Sequence, residues 1–176
     1  MIFKELKLKG AFIVDVERRE DERGFFARTF CEREFGAYGL NCRLVQSSVS
    51  FNKNEGTLRG MHYQIAPNEE AKIVRCTQGA VYDVIIDLRR HSATFKHWEA
   101  VELTSENHRM VYIPEGCAHG FQTLQDDTEV LYHMTEFYAP EASRGVRWDD
   151  PAFEIRWPVA DRTIALRDQQ YPAFIL

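Results

Sequence analysis

Short apolar stretches rich in β-branched and aromatic residues recur along the chain. They are Ala11–Val16, Leu44–Phe51, Lys72–Thr77, Ala80–Leu88, Trp98–Leu103, His108–Ile113, Gly120–Leu124 and Glu129–Phe137. Several alternate. In Val81-Tyr82-Asp83-Val84-Ile85-Ile86-Asp87 the aspartates sit four apart, on one strand face. Gly79, between two such runs, predicts a hairpin turn. This many short strands predict a sandwich or barrel. Helix signals are thin: Cys31–Tyr38, closed by Gly39, predicts one short helix, and Asp161–Gln169 a second. The expected architecture is an all-β, double-sheet barrel with short peripheral helices. No repeat or linker interrupts the chain, so residues 1–176 read as one domain.

Composition narrows the function classes. The net charge of -5 argues against a general nucleic-acid binder, which needs a basic face. No apolar run approaches the roughly 20 residues of a membrane span. The start, Met1-Ile2-Phe3-Lys4-Glu5, lacks the apolar stretch of a signal peptide, and a cytoplasmic location is expected. Cys31, Cys42, Cys76 and Cys117 show no zinc-type spacing and read as passive thiols.

Two segments carry candidate chemistry. One is Gly56-Thr57-Leu58-Arg59-Gly60-Met61-His62-Tyr63-Gln64, followed by Lys72. The other is Ile113-Pro114-Glu115-Gly116-Cys117-Ala118-His119-Gly120-Phe121. The spacing of Pro114, Gly116 and His119 resembles the second motif of cupin barrels, where a turn delivers an imidazole into the barrel. The first cupin motif normally carries two histidines and a glutamate as metal ligands. Here the matching stretch reads His62-Tyr63-Gln64, with a basic Lys72 where an acid is wanted. An amide is a poor ligand and an ammonium repels a cation, so a metal is not expected. The pocket suits an anionic organic substrate and proton transfer. Taken alone, His62 and His119 also fit hydrogen-bonded core positions. Asp21-Glu22-Arg23-Gly24 fits a solvated turn, and Phe25-Phe26 a core pair.

Over roughly residues 10 to 174 the chain resembles the dTDP-4-dehydrorhamnose 3,5-epimerase family. The resemblance rests on Asp21-Glu22-Arg23-Gly24-Phe25-Phe26, Leu58 to Gln64, Lys72 to Cys76, Asp87-Leu88-Arg89 and Ser92 to Phe95. It continues through Ile113 to Phe121, Tyr138-Ala139-Pro140, Trp148 to Pro151 and Arg167 to Pro172. In this order and spacing the motifs are specific together. The resemblance implies a metal-free, cofactor-independent, cupin-type double-stranded β-helix (jelly roll) that forms homodimers. It implies inversion of C3 and C5 of a nucleotide-linked 4-keto-6-deoxyhexose, with His62 as base, Asp168 as its carboxylate partner and Tyr132 as proton donor. Lys72 is placed near the reacting sugar or diphosphate. Arg23, Phe26, Gln46, Arg59, Gln64, His119, Tyr138 and Arg167 are implied substrate contacts, Tyr138 stacking on the base.

Physical chemistry fits those roles. A C4 ketone acidifies both neighbouring C–H groups, and inversion needs a base on one face and an acid on the other. A neutral imidazole suits the base role, and a carboxylate on its other nitrogen fixes the tautomer. Lys72 and His119 are candidates to stabilise the enolate. Arginine forks match diphosphate oxygens, and exposed aromatics stack on bases. No glycine-rich dinucleotide or phosphate loop is present. Three positions depart from the common family pattern: Arg28 where many members have Glu, Ser48 at the end of Gln46-Ser47-Ser48, and Ser143 in place of a Glu. They leave open the exact nucleotide and sugar. The alternatives are a single-centre epimerase or ketoisomerase on a related 4-keto sugar, and a non-catalytic sugar-binding cupin.

Overall fold

The computed structural model describes residues 1–175. In chain order the strands are β1 (Ile2–Glu5), β2 (Phe12–Asp15), β3 (Arg19–Asp21), β4 (Gly24–Phe26), β5 (Gln46–Asn52), β6 (Thr57–Gln64) and β7 (Lys72–Gln78). They continue as β8 (Ala80–Asp87), β9 (Trp98–Thr104), β10 (Met110–Ile113), β11 (Cys117–Thr123), β12 (Thr128–Met134), β13 (Ser143–Gly145) and β14 (Thr163–Ile164). The helices are α1 (Glu32–Ala37) and α2 (Leu166–Gln169).

One sheet has the order β1-β2-β10-β7-β12-β5, and the other β13-β6-β11-β8-β9, with β14 added in parallel to β6. From β5 to β8, and again from β9 to β13, successive strands alternate between the sheets. That winding is the jelly roll, the cupin-type barrel expected from the sequence.

Between the sheets, Val74, Cys76, Val111, Ile113 and Val130 meet Val81, Ile85, Val101, Leu103, Cys117 and Phe121. The outer faces are covered too. Glu32 and Glu34 suit the positive N-terminal end of α1. That helix seats Phe35 against Phe12, Val14, Ile73 and Tyr112. The chain after β13 lays Phe153 and Trp157 on Leu58, Met61, Val84 and Ile86. Strands β8, β10 and β11 are thus buried on both faces. This is why β8 and β10 read as nearly continuous apolar runs rather than strict alternation, while β11 buries His119, Gln122 and Thr123 as well.

Three expectations are corrected. Gly79 does not close a hairpin, because β7 and β8 lie in different sheets. It turns the corner between them with φ +75, where a Cβ would strike Thr128. The second helix covers only Leu166–Gln169, since Thr163 and Ile164 pair with Thr57 and Leu58 instead. The Phe25-Phe26 pair is not core: it lies on the separate β3–β4 hairpin, with Phe26 71% exposed.

Candidate active site

The site begins with an irregularity in β6. On β11, His119 and Phe121 are two apart and share the inward face. Their partners across the ladder are His62 and Arg59, with a register shift between the two pairs. The extra residue on β6 turns Arg59 and His62 to the same side, although strict period two puts them on opposite faces. Gly60 sits at the bulge with φ +125, and a Cβ there would meet Gly120 Cα at 2.5 Å and His119 O at 2.8 Å. Only glycine admits so close an approach of two strands.

His62 lines a cavity of ≈ 220 Å³ together with Lys72, Tyr132, Tyr138, Ser143 and Arg167. Its Nε2 lies 2.7 Å from Asp168 Oδ1. The backbone N–H of Gly60 donates to Asp168 Oδ2 at 3.1 Å, so both carboxylate oxygens are held. Burial pushes Asp168 up, but the His62 and Gly60 contacts outweigh it and hold the carboxyl below its ordinary range. With Nε2–H donating to that carboxylate, Nδ1 carries the free lone pair. Tyr171 packs edge-on against the imidazole, with ring centroids 6.0 Å apart.

The opposite wall comes from the other sheet. Tyr132 is on β12, paired with Val74 of β7 and Ser48 of β5. Burial pushes its hydroxyl far up, with Asp83 adding to the shift and Arg59 opposing it. Burial thus favours the protonated phenol. Lys72, at the start of β7, places Nζ 3.1 Å from Glu70 Oε1. Arg59 donates from Nε to Asn52 Oδ1 at 2.7 Å.

A third group holds the loop before β13. Gln64 is buried and fully used: Nε2 donates to the carbonyls of Asn68 (2.8 Å) and Phe137 (3.2 Å), and Oε1 accepts from Ala139 N–H (2.7 Å). It lines the same cavity as His62, and its amide also anchors the loop that carries Tyr138. Gln46 Oε1 likewise accepts from Tyr138 N–H at 2.5 Å. The Tyr138 side chain is 57% exposed. Arg167 donates to Ser143 Oγ at 2.9 Å and to Tyr171 Oη at 3.1 Å.

Other expected contacts lie elsewhere. His119 is buried, its Nε2 2.7 Å from Asp83 Oδ2, and is not among the residues that line the ≈ 220 Å³ cavity. Arg23 is 84% exposed and ion-paired to Asp21. Within one chain neither Arg23 nor Phe26 reaches the cavity, because the β3–β4 hairpin is outside both large sheets. Arg28 pairs locally with Glu34 at 2.9 Å. A larger cavity of ≈ 680 Å³, lined by Arg90, His91 and Phe174, contains none of the expected catalytic side chains. Glu70 and Met134, which line the cavity, and Tyr171, which packs on His62, were not among the expected site residues. Met134 was findable, two residues beyond Tyr132 on the same strand face.

Among the described residues no three His, Cys, Asp or Glu side chains cluster as a ligand set, and no helix is long and apolar enough to cross a membrane. Burial pushes the Cys76 thiol up to about 11 and the Cys117 thiol up to about 12, so neither is a ready nucleophile.

A jelly roll that gathers imidazole, carboxylate, phenol and ammonium groups in one interior cavity is a cupin-type barrel enzyme. The family model described as dTDP-4-dehydrorhamnose 3,5-epimerase matches residues 5–175. A dTDP-4-dehydrorhamnose 3,5-epimerase of Methanothermobacter thermautotrophicus is 42% identical over 172 residues, covering 96% of this chain and 92% of that protein. The crystal structure of dTDP-4-dehydrorhamnose 3,5-epimerase from Elizabethkingia anophelis superposes with TM-score 0.96 at 37% identity, covering 99% of this chain and 96% of that one. A 3'-monoepimerase from Streptomyces bikiniensis, in complex with dTDP-quinovose, superposes with TM-score 0.87 at 32% identity, covering 96% and 85%. The chain belongs to the dTDP-4-dehydrorhamnose 3,5-epimerase family and is an isomerase.

Proposed function

We propose that this enzyme inverts C3 and C5 of dTDP-4-dehydro-6-deoxyglucose to give dTDP-4-dehydrorhamnose, by proton transfer through an enolate. The observation that carries the reading is the placement of His62 and Tyr132 on opposing sheets around one cavity. His62 Nδ1 takes the proton next to the C4 ketone, and Asp168 stabilises the imidazolium that forms. The electrons move into the C4 oxygen, where the Lys72 ammonium offsets the developing charge. Tyr132 then delivers a proton to the opposite face of the same carbon, and the centre is inverted.

Arg167 and exposed Tyr138 form a matched pair for the nucleotide end, fork to diphosphate and ring to base. The exposed β3–β4 hairpin supports a homodimer in which Arg23 and Phe26 serve the cavity of a neighbouring copy. The place of the reaction is in deoxysugar and surface-polysaccharide synthesis. A single-centre epimerase is the second reading, favoured by the likeness to a 3'-monoepimerase.

The test is solvent exchange. With dTDP-4-dehydro-6-deoxyglucose in D2O, NMR is expected to show deuterium at both C3 and C5, lost in His62→Ala. Deuterium at one carbon alone selects the single-centre reading, and exchange that survives His62→Ala overturns the mechanism.

A further inference from the structure

The wall behind Tyr132 holds a second imidazole–carboxylate pair that the chemistry above leaves idle. His119 and Asp83 are 2.7 Å apart, and their side chains are only 5% and 0% exposed. His119 stands directly across the ladder from His62. Its ring packs edge-on against Tyr132, with centroids 6.0 Å apart. Asp83 Oδ1 is buried with no hydrogen-bond partner.

That orphan oxygen has a consequence for the proton count. As carboxylate plus neutral imidazole, the pair is a net negative charge, out of water, with an unsatisfied acceptor. One added proton makes the pair neutral overall, and burial favours that state. Burial does push the Asp83 carboxyl up, against the pull of His119 and Lys72. Lys72, itself paired to Glu70, acts on Asp83, and Arg59 acts on Tyr132.

The double inversion creates a demand for such a proton. Each inversion adds one proton to His62 and removes one from Tyr132. His62 is 37% exposed and can release its proton to water. Tyr132 is half-buried and faces the cavity that the sugar fills, so bound substrate covers it, and its hydroxyl supplies one proton only. The second inversion needs another, delivered to the same face.

We infer that the Asp83–His119 pair is an internal proton store that recharges Tyr132 between the two inversions. The inference rests on the double-epimerase reading. In the recharging step the store loses one proton, a new O–H bond forms on the Tyr132 phenolate, and the pair is left net negative. Solvent refills it after product leaves. Asp83 is here a positioning and proton-holding residue, since it does not touch substrate.

The test counts protons on the unaltered enzyme. Enzyme equilibrated in H2O is mixed into D2O with substrate already deuterated at C3 and C5, and quenched within the first turnover. Any protium in the product at those carbons came from the protein. The store predicts close to two protium atoms per active site, and one or none overturns it. In steady state, Asp83→Asn is expected to keep the first exchange and slow the second by on the order of tenfold or more, accumulating singly inverted product. Equal slowing of both exchanges overturns the inference. If the unaltered enzyme takes up solvent label at fewer than two carbons over many turnovers, the double-epimerase reading itself fails.

Discussion

His62 and Tyr132 approach one cavity from different sheets, the imidazole from β6 and the phenol from β12. Neither packs its functional atoms into the apolar core, so each can be altered without emptying the barrel. His62→Ala and Tyr132→Phe are each expected to lower turnover by about 10²–10⁴-fold. Circular dichroism and thermal midpoint should stay near those of the parent. Full activity in either variant contradicts the assignment.

Arg167 contacts the neutral hydroxyl of Ser143 and, among the described residues, pairs with no carboxylate. Ser143→Glu places an anion where that hydroxyl is. The new ion pair competes with the substrate diphosphate, and KM is expected to rise while kcat changes little. A KM unchanged within twofold of the parent would separate Arg167 from diphosphate binding.

Gln64→Leu strips the carbonyls of Asn68 and Phe137, and the N–H of Ala139, of their partners. Unpaired buried polar groups cost about 1–3 kcal/mol each, and relaxation of the loop toward water recovers part of that. The loop bearing Tyr138 should loosen, raising KM more than it lowers kcat. A fall in kcat alone would instead mean that Gln64 meets the reacting sugar.

Asp87 is fully buried, yet its pKa is lowered to about 2. Burial acts to raise it, and hydrogen bonds from Arg89, Ser92 and Thr94 more than offset burial. A depressed carboxyl stabilises the fold at any pH above its unfolded value, and that contribution is lost as pH falls toward 2. The difference is worth about 2 kcal/mol. Asp168 acts in the same direction. Denaturant midpoints measured from pH 6 down to pH 2 should therefore fall, and Asp87→Asn should flatten the slope while lowering the midpoint at pH 6.

The β3–β4 hairpin makes a prediction about assembly. Light scattering in the micromolar range is expected to give the mass of a dimer. Arg23→Ala and Phe26→Ala are expected to raise KM although both residues are remote from the cavity of their own chain. A monomeric mass, or unchanged KM in both variants, rules out a shared site.

Much of the barrel was legible because strand periodicity is local. Val81 to Asp87 announced a polar face, and Asp83 and Asp87 do share the interior. What remained hidden is non-local. Gly79 shows that the chain turns but not into which sheet. Thr163 and Ile164 leave a helical pattern because a free edge of β6 is available to them. The bulge at Gly60 defeats period-two reasoning for Arg59 and His62, since strand pairing alone reveals the extra residue. The segments with His62, Lys72 and His119 stood out by their motifs, whereas Asp168, Tyr132, Tyr138 and Arg167 were reached through family resemblance. The pairing of Asp168 with His62 has no signature in local spacing, and Glu70 beside Lys72 went unremarked.

That long-range pairing has a consequence for synthesis. His62 and Asp168 are separated by 106 positions, and α2 delivers the carboxylate only after β1 to β14 have been made. A growing chain on the ribosome can close its walls and set His62 in place while still lacking the carboxylate that pairs with it. On the proposed chemistry, turnover thus reports on chains made through α2, and cutting the chain back before Asp168 is a way to stop it without dismantling the barrel.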